Sequence, residues 1–596
     1  MTLGGGGGGG GTRGGLAAFC VLVVVSLGWA WAARRRELYS LSSSSSSRSE
    51  RDDDDDDDDD VFDDDDGFFV GSIGKGKRFD DDSSAGRRRK RQKRLKSSTT
   101  SEKEQQQQQQ QHQQPAVGVV LPVRGASGRT TDNWRTQLNT TYDGDVSFVF
   151  VVEKDTDEAK REAERLIALE VLRRDDDEEE EEEKKRVVGR ARRRRSARVV
   201  VSGSAEGCSQ KIAQQLRGVE ELAAEDERKN DERGVGSASA EKYRRRRSRR
   251  SRTNTKSPER NGRVMKYVLF LDDDVMLYPS TIGSLVRAME KDEKETGGNA
   301  LLATGYPLDF VGGGVDGGES SSSCFANYMT MVYHLVLLIP FSHGKYTKNV
   351  WGGCMLFRLD DFQANACKVK EAYENGGYSD DLIVAAAANR EKRSILCPGD
   401  ALFPLPLDPK QTVGHFVNYF HRQIFVNDTY FDRHMKCINH GMLLAMFLSS
   451  LCLTCGTVSS AIDVALWVRS LATSSSQKST TRTPTLAFAV FFAHFLAVTR
   501  AKKMYASCVS LCERTADADA AAAAAASRGR QTLPPDAGRV ARAGFNRTNW
   551  FKVWLALCIV YAAAPILCAH VVLLSNDVTW GGIRYRKRRG KVSRVV

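Results

Sequence analysis

Between Ala116 and about Tyr430 the apolar positions follow two alternating periods. Ala116 to Val123 (AVGVVLPV) is a short β-branched run that ends in the loop RGASG, and a helical stretch around Trp134 follows. Val146 to Val152 (VSFVFVV) is again β-rich and closes at Glu153, ahead of an amphipathic helix predicted over Asp157 to Leu172. Arg198 to Val201 reads as a strand, Cys208 to Leu222 as a helix, and Val268 to Leu271 as a strand that stops at Asp272. Strands alternating with helices predict an α/β domain: a mostly parallel sheet, helices on both faces, and ligands beyond the carboxyl ends of the strands.

Four further stretches are apolar without that alternation. Leu16 to Ala33 (LAAFCVLVVVSLGWAWAA) is long enough for a slightly short membrane helix and runs into Arg34, Arg35 and Arg36. Charge placed after the apolar run disfavours a cleaved signal peptide and favours an N-terminal membrane anchor at 16–33, with the following domain in the cytosol. Met442 to Val468, Thr485 to Val498 and Trp550 to Leu574 are C-terminal transmembrane candidates within 440–575. The middle one is short and reads as spanning, re-entrant or interfacial. Three C-terminal spans would put the end of the chain in the lumen, whereas two would put RYRKRRGKVSR in the cytosol.

At 596 residues the chain has room for about four domains at roughly 150 residues each, but much of it is low in complexity. Residues 34–115 carry an Arg cluster, a Ser run, two Asp blocks, a second basic block and a Gln tract, a composition that reads as a disordered tail. Similar tracts interrupt the α/β region near 173–195 and 226–263, and another lies around Asp517 to Pro535. The net charge of +12 resides mostly there. Because basic blocks alternate with acidic ones, lack aromatics and flank apolar spans, solvated linkers or contact with anionic membrane are expected, not nucleic-acid binding. Thirteen cysteines, several inside apolar spans, form no disulfide framework, and Cys452 with Cys455 has no second pair to complete a zinc site. The sequons at Asn139, Asn427 and Asn546 would be glycosylated only on the lumenal side.

The residues that carry chemistry stand at the end of the Val268 strand: Asp272, Asp273 and Asp274. Unlike the acidic tail, this triplet has a strand before it and a Pro279-Ser280-Thr281 helix start behind it. Alternation puts Asp272 and Asp274 on one side and Asp273 on the other. Two converging carboxylates repel, and a shared divalent cation, Mg²⁺ by preference, offsets that while phosphates and water complete its shell. Capping of a turn is the plainer role such residues can have.

KYVLFLDDDVMLYPSTIGSLVRAMEK, ATGYPLDF, VWGGCMLFRLDDF and GGYSDDLIVAAAANREKRSILCPGDALFPLPL resemble, in order, the motifs of the ceramide glucosyltransferase family, most closely its plant-type members. CSQKIAQQLRGVE and VVEKDTDEA fit the same series, and the likeness covers roughly 116–430, interrupted by the charged inserts. It implies a Rossmann-like GT-A catalytic domain, a UDP-glucose donor, a divalent cation (Mg²⁺ or Mn²⁺), a ceramide acceptor in the bilayer and a β-linked product. Such an enzyme is a multi-pass Golgi or ER membrane protein with its catalytic domain facing the cytosol.

Carried over by residue, the resemblance gives the metal role to Asp272 and Asp274, with Asp273 a lesser ligand, and the catalytic base to Asp381, beside Asp380. Donor binding falls to Glu153, Asp157 (or Asp155), Lys211, Asp272 and Arg422. The family's Asp-Pro pair is here Thr156-Asp157-Glu158, and Gln423 follows Arg422 where many members have Trp and the plant-type form has Gln. A family histidine matches His334 or His343. Ser379 to Asp381 also suit a helix amino end, and Tyr328 to Phe341, too short to span, suits either the membrane interface or the core. Three rival readings are a processive polysaccharide synthase, which needs more long spans, a dolichyl-phosphate sugar transferase, which leaves WGGCM and GGYSDD unexplained, and a non-catalytic membrane scaffold.

Overall fold

The computed structural model describes residues 9–51, 114–126, 128–170, 195–232, 265–311, 324–339, 341, 345–473, 485–526 and 537–595. The chain divides into two units, one of 1–42 with 115–596 and one of 43–114; of the latter only the tail of a helix and Gln114 are described.

The α/β expectation is met. β1 (Ala116–Pro122), β2 (Val146–Val152), β3 (Arg195–Val201) and β4 (Met265–Leu271) pair in parallel in the order β3-β2-β1-β4. The sheet then continues through β8 (Cys354–Arg358), β5 (Ala300–Thr304), β9 (Ser394–Leu396) and β7 (Tyr346–Thr347), with β8 antiparallel to both neighbours. A small parallel pair, β6 (Tyr306–Phe310) with β10 (Leu402–Pro406), stands beside it. The central strands are buried on both faces, so they read as near-continuous apolar runs.

One face carries Val119, Leu121, Phe148 and Phe150 against Trp134 of α2 (Gly128–Leu138). The other carries Val120, Val149 and Phe270 against Ile212 and Leu222 of α4 (Gln210–Glu232), which follows α3 (158–170) in chain order. α4 lies close on the sheet because Gly218 has no side chain: a Cβ there would fall 2.3 Å from Val120 Cγ1. That close approach fixes where the first turn of α4, and Lys211 on it, meets the strand ends.

After α5 (Thr281–Thr296) and α6 (Phe325–Leu337), the short α7 (Leu359–Gln363) and α8 (Val369–Glu374) lead to α9 (Asp380–Arg390) and α10 (Val413–Asn427). Among the described residues four helices are long and apolar enough to cross a membrane: α1 (Gly9–Arg51), α11 (Arg433–Thr473), α12 (Thr485–Ala526) and α14 (Trp550–Leu573), the last preceded by α13 (Ala537–Arg547). Two boundaries differ from the sequence reading. α1 runs on through its Arg cluster to Arg51, and α12 continues to Ala526, through part of the tract expected to be a low-complexity linker. Alanine is the best helix former, and the extension is tied down where Asp519 Oδ2 accepts from the Ser280 amide at 3.2 Å.

The chain ends in an antiparallel sheet that the sequence reading did not anticipate: β11 (Asp577–Trp580), β12 (Ile583–Arg588) and β13 (Lys591–Arg594). Gly581 and Gly582, then Arg589 and Gly590, all take positive φ, which suits two-residue hairpin turns. The charged inserts near 173–195 and 226–263 lie almost wholly outside the described residues, as does His343.

Gly218→Val should lower stability by about 1–3 kcal/mol through overpacking against Val120. Thermal unfolding in detergent checks this, and an unchanged midpoint would mean that α4 is not pressed on β1 as described.

Candidate active site

The Asp triplet stands at the carboxyl end of β4, where its backbone is held from two sides. The Asp272 amide donates to the Gly353 carbonyl at 3.1 Å, and Gln137 Nε2 donates to the carbonyls of Asp272 and Val275, both at 2.8 Å. Lys211, one residue into α4, points its ammonium at the triplet. Its Nζ lies 2.7 Å from Asp272 Oδ1 and 3.0 Å from Asp380 Oδ2, and it donates to the Gly352 carbonyl at 3.1 Å. Gln215, one turn along α4, donates to the same Asp380 Oδ2 at 2.7 Å. Gly352 leaves the room, since a Cβ there would lie 2.7 Å from Asp380 Oδ1.

Asp380 is therefore committed to structure, buried and satisfied by Lys211 and Gln215. Asp381 is held differently. Ser379 caps α9, and Asp381 Oδ1 accepts from the Ser379 hydroxyl and, at 2.7 Å, from the Leu382 amide. Burial, followed by the charge of Asp380, raises the Asp381 carboxyl above its usual range despite the Ser379 hydrogen bond. Both roles weighed from sequence, cap and base, are open to this one side chain, because only Oδ1 is used in capping.

The triplet is short of positive charge. Burial, opposed by Lys211 and reinforced by Asp274 and Asp380, pushes Asp272 up to about 7. Burial with Asp274 and Asp272 pushes Asp273 to about 8. Asp274, accessible in the cleft, is also raised, by burial of its surroundings against the opposing charges of Lys211 and Arg422. Among the described residues no side chain hydrogen-bonds or pairs with the Asp274 carboxylate, and no three His, Cys, Asp or Glu side chains gather around one point. Hard oxygen donors, few in number and only partly compensated by Lys211, fit a divalent cation that takes most of its ligands from phosphate and water.

Arg422 of α10 lies within electrostatic reach of Asp274. Its guanidinium is clasped between the rings of Tyr419 at 5.3 Å and Trp580 at 5.1 Å. Clasping by aromatic faces holds it without using its N–H donors, which suits paired phosphate oxygens. Tyr419 is itself positioned by a relay: its hydroxyl lies 2.5 Å from His334 Nε2, and His334 Nδ1 lies 2.5 Å from Asp309 Oδ2. A carboxylate only accepts, so Nδ1 donates to Asp309, and in the neutral imidazole Nε2 then accepts from Tyr419.

The acidic motif after β2 is more occupied than the sequence suggests. Glu153 is buried and receives Arg124 at 3.1 Å, Arg594 of β13 at 2.8 Å and the Ser204 hydroxyl at 3.0 Å. Burial would raise its carboxyl, but Arg594 and Ser204 outweigh that and hold it below the usual range. Asp157 Oδ1 accepts from the Gly125 amide at 2.9 Å and the Ala159 amide at 3.0 Å, so it starts α3 and tethers the loop after β1. Asp155 is exposed and pairs with Lys160.

Asp272, Lys211 and the Asp380–Asp381 helix start thus meet directly, with Asp274 and Arg422 near enough to couple electrostatically. Glu153 and Asp157 line the neighbouring strand end. Sequence reasoning missed Gln215, the Asp309–His334–Tyr419 relay, and the C-terminal Trp580 and Arg594. The alternating IRYRKR and the turns GG and RG were the available signal for the last two.

No family model matches the chain, and no curated protein matches it. Similar solved structures include a mannosyltransferase from Pyrobaculum calidifontis in complex with GDP-mannose and Mn²⁺, 12% identical over 77% of this chain and 88% of that one, with a TM-score of 0.25. Residues 1–349 of S. aureus TarS are 10% identical over 80% of this chain and 98% of theirs, with a TM-score of 0.24. Glucosyl-3-phosphoglycerate synthase from Mycobacterium tuberculosis, with Mn²⁺, UDP-glucose and phosphoglyceric acid, is 11% identical over 52% and 78%, with a TM-score of 0.21. Likeness at these scores carries no weight for function.

Raised carboxyls bind protons in the folded chain that the unfolded chain has already released, so their contribution to stability falls as pH rises from about 4 to about 8. Without divalent cation, the wild type should therefore lose thermal stability relative to Asp273→Asn over that window, and Mn²⁺ should shrink the loss. Parallel pH curves for the two proteins would contradict it.

Proposed function

We propose that the chain is a membrane-bound GT-A glycosyltransferase that transfers glucose from UDP-glucose to ceramide with inversion, giving β-glucosylceramide. The observation that carries this is the Lys211 bridge: one ammonium ties the strand-end Asp272 to the α9 start, so an acidic metal-type site stands beside Asp381, a carboxylate with a raised pKa and its Oδ2 unengaged. Asp272 and Asp274 would hold the divalent cation, which supplies charge neutralisation of the donor diphosphate. Arg422, clasped and without a carboxylate partner among the described residues, would bind the leaving UDP. Glu153 would act through the arginines it anchors, and Asp157 through the loop it tethers.

In the reaction Asp381 takes the proton from the acceptor hydroxyl as that oxygen attacks the anomeric carbon from the face opposite UDP, and the bond to the diphosphate oxygen breaks. Asp380 is the poorer choice for this role because both of its oxygens are engaged, Oδ2 by Lys211 and Gln215 and Oδ1 by the Asp381 amide at 3.1 Å. A raised pKa makes Asp381 a better proton acceptor near neutrality.

A lipid acceptor is favoured by what adjoins the cleft. Tyr333 of α6 is within electrostatic reach of Asp381, and two residues on, the Leu335 carbonyl accepts from Trp31 Nε1 of α1 at 3.2 Å. The base is thus next to a helix whose other side is an apolar anchor. Basic residues close, on the catalytic-domain side, the apolar stretches of three helices: Arg34 to Arg36 after that of α1, Arg433 and Lys436 before that of α11, and Arg500, Lys502 and Lys503 after that of α12. That distribution favours a cytosolic catalytic domain on an ER or Golgi membrane.

In membranes carrying the protein, radiolabelled UDP-glucose should yield labelled product from short-chain ceramide, and EDTA should abolish it. Asp381→Asn should lower transfer by about 10²-fold or more while UDP still binds. Undiminished transfer by this variant would remove Asp381 from the mechanism, and product with another lipid only would replace ceramide as acceptor.

A further inference from the structure

Length and composition alone make α14 a membrane span, yet both of its ends rest on the α/β domain. At its start the Asn549 amide donates to the Tyr328 hydroxyl of α6 at 3.2 Å. Trp550 packs on Tyr505, whose hydroxyl donates to the Asp309 carbonyl at 2.6 Å. Just before it, Gly544 of α13 presses so close to Phe310 of β6 that a Cβ would fall 2.4 Å from its ring.

At its other end His570 stacks near His421 of α10, with centroids 5.6 Å apart, and the chain enters β11. The C-terminal sheet is bound along its length to the same domain. The Tyr585 hydroxyl accepts from the Gln210 amide at 3.0 Å, and the Val592 amide donates to the Gly376 carbonyl at 3.0 Å. The Gly590 carbonyl accepts from the Tyr430 amide at 2.9 Å, and Lys587 pairs with Asp428. A straight helix of this length covers about 36 Å, more than the hydrocarbon core of a bilayer. A helix that crossed would have its ends on opposite sides, and one folded domain cannot hold both.

The neighbouring helices behave differently. α11 leaves the domain from Asn439 and His440, held to Thr429 and Asp428 at 2.9 Å each, and meets α12 far along, where Trp467 contacts Phe488 at 5.7 Å. α12 then returns, with Arg500 over Trp29 of α1 at 5.0 Å and Cys512 Sγ 3.6 Å from the Leu402 carbonyl. The pair goes out and comes back, which already returns the chain to the domain's side before α14 begins.

We propose that α14 does not carry the chain across the membrane but lies along the membrane-facing side of the catalytic domain, with its free face on the bilayer. Most of its exposed apolar residues form one stripe, Phe551, Leu555, Ile559, Ile566 and Leu573, with Val572 to one side, while Val553, Leu557, Val560, Ala564, Cys568 and Val571 face the protein. Exposed apolar residues also stand on α1, α11 and α12, such as Leu22, Leu448 and Phe492, and Lys552 with Trp550 and Trp554 supplies an interfacial end to α14. Lipid acyl chains are therefore the occupant of this face, and residues 577–595 share the side of the catalytic domain.

The test reads sidedness, so it is independent of whether the chain transfers sugar. Glu158→Cys on α3, Asn546→Cys before α14 and Asn576→Cys after it are each made in the full chain. Sealed vesicles are exposed to a membrane-impermeant PEG-maleimide, and added mass is compared with the parent protein. All three added cysteines should react from the same side, whichever side Glu158→Cys reports. Reaction of Asn546→Cys and Asn576→Cys from opposite sides, one only after detergent, would overturn the proposal. In a second measurement a fluorophore on Ile559→Cys and on Ile566→Cys should be quenched by spin-labelled lipid. No quenching at either position would show the stripe to be covered by protein and would overturn the lipid assignment.

Discussion

The structure of the cleft depends on one buried ammonium. Lys211 sits on the first turn of α4 and satisfies Asp272 from the sheet, Asp380 from α9 and the Gly352 carbonyl between them. Breaking a buried pair costs about 3–5 kcal/mol, because the partner left behind is an uncompensated charge. Here two carboxylates would be left. The sheet, α4 and α9 are therefore held in register by electrostatics at the point where chemistry would take place. The small residues around it, Gly218 on α4 and Gly352 ahead of β8, set the spacing.

This arrangement divides work between adjacent carboxylates. Asp380 and Asp272 share the lysine, which leaves Asp381 and Asp274 to face the cleft with raised affinity for protons or cations. Arg422 is held by aromatic faces instead of by an acid, and the ring beneath it is fixed through Tyr419, His334 and Asp309. Acidic and basic groups are thus kept apart across the cleft, a condition that a bound diphosphate and its cation would relieve.

The α/β alternation and the strand-end triplet were legible in the sequence because both follow from local period: buried strands are continuous apolar runs, and the acids begin where the run stops. Asp381 and Arg422 came from resemblance, and the structure places Asp381 beside the Lys211 bridge and Arg422 within electrostatic reach of Asp274. What stayed hidden was long-range. Nothing local distinguishes Lys211 from an exposed helix lysine, since its partners come from distant strands and loops. RYRKRRG read as a basic tail bearing on topology, although its Tyr585 and Lys587, with Ile583 just before it, are the buried face of β12.

The central claim is that the Asp triplet forms a cation-dependent nucleotide site. Equilibrium binding of UDP to the purified full chain, titrated with and without Mn²⁺ for the wild type and for Asp274→Asn, tests it most directly. The account predicts that Mn²⁺ tightens UDP binding of the wild type by about tenfold or more, a gain of about 1.4 kcal/mol, and leaves Asp274→Asn nearly unchanged. UDP affinity indifferent to Mn²⁺ in the wild type, or equally improved by it in both proteins, would contradict the account.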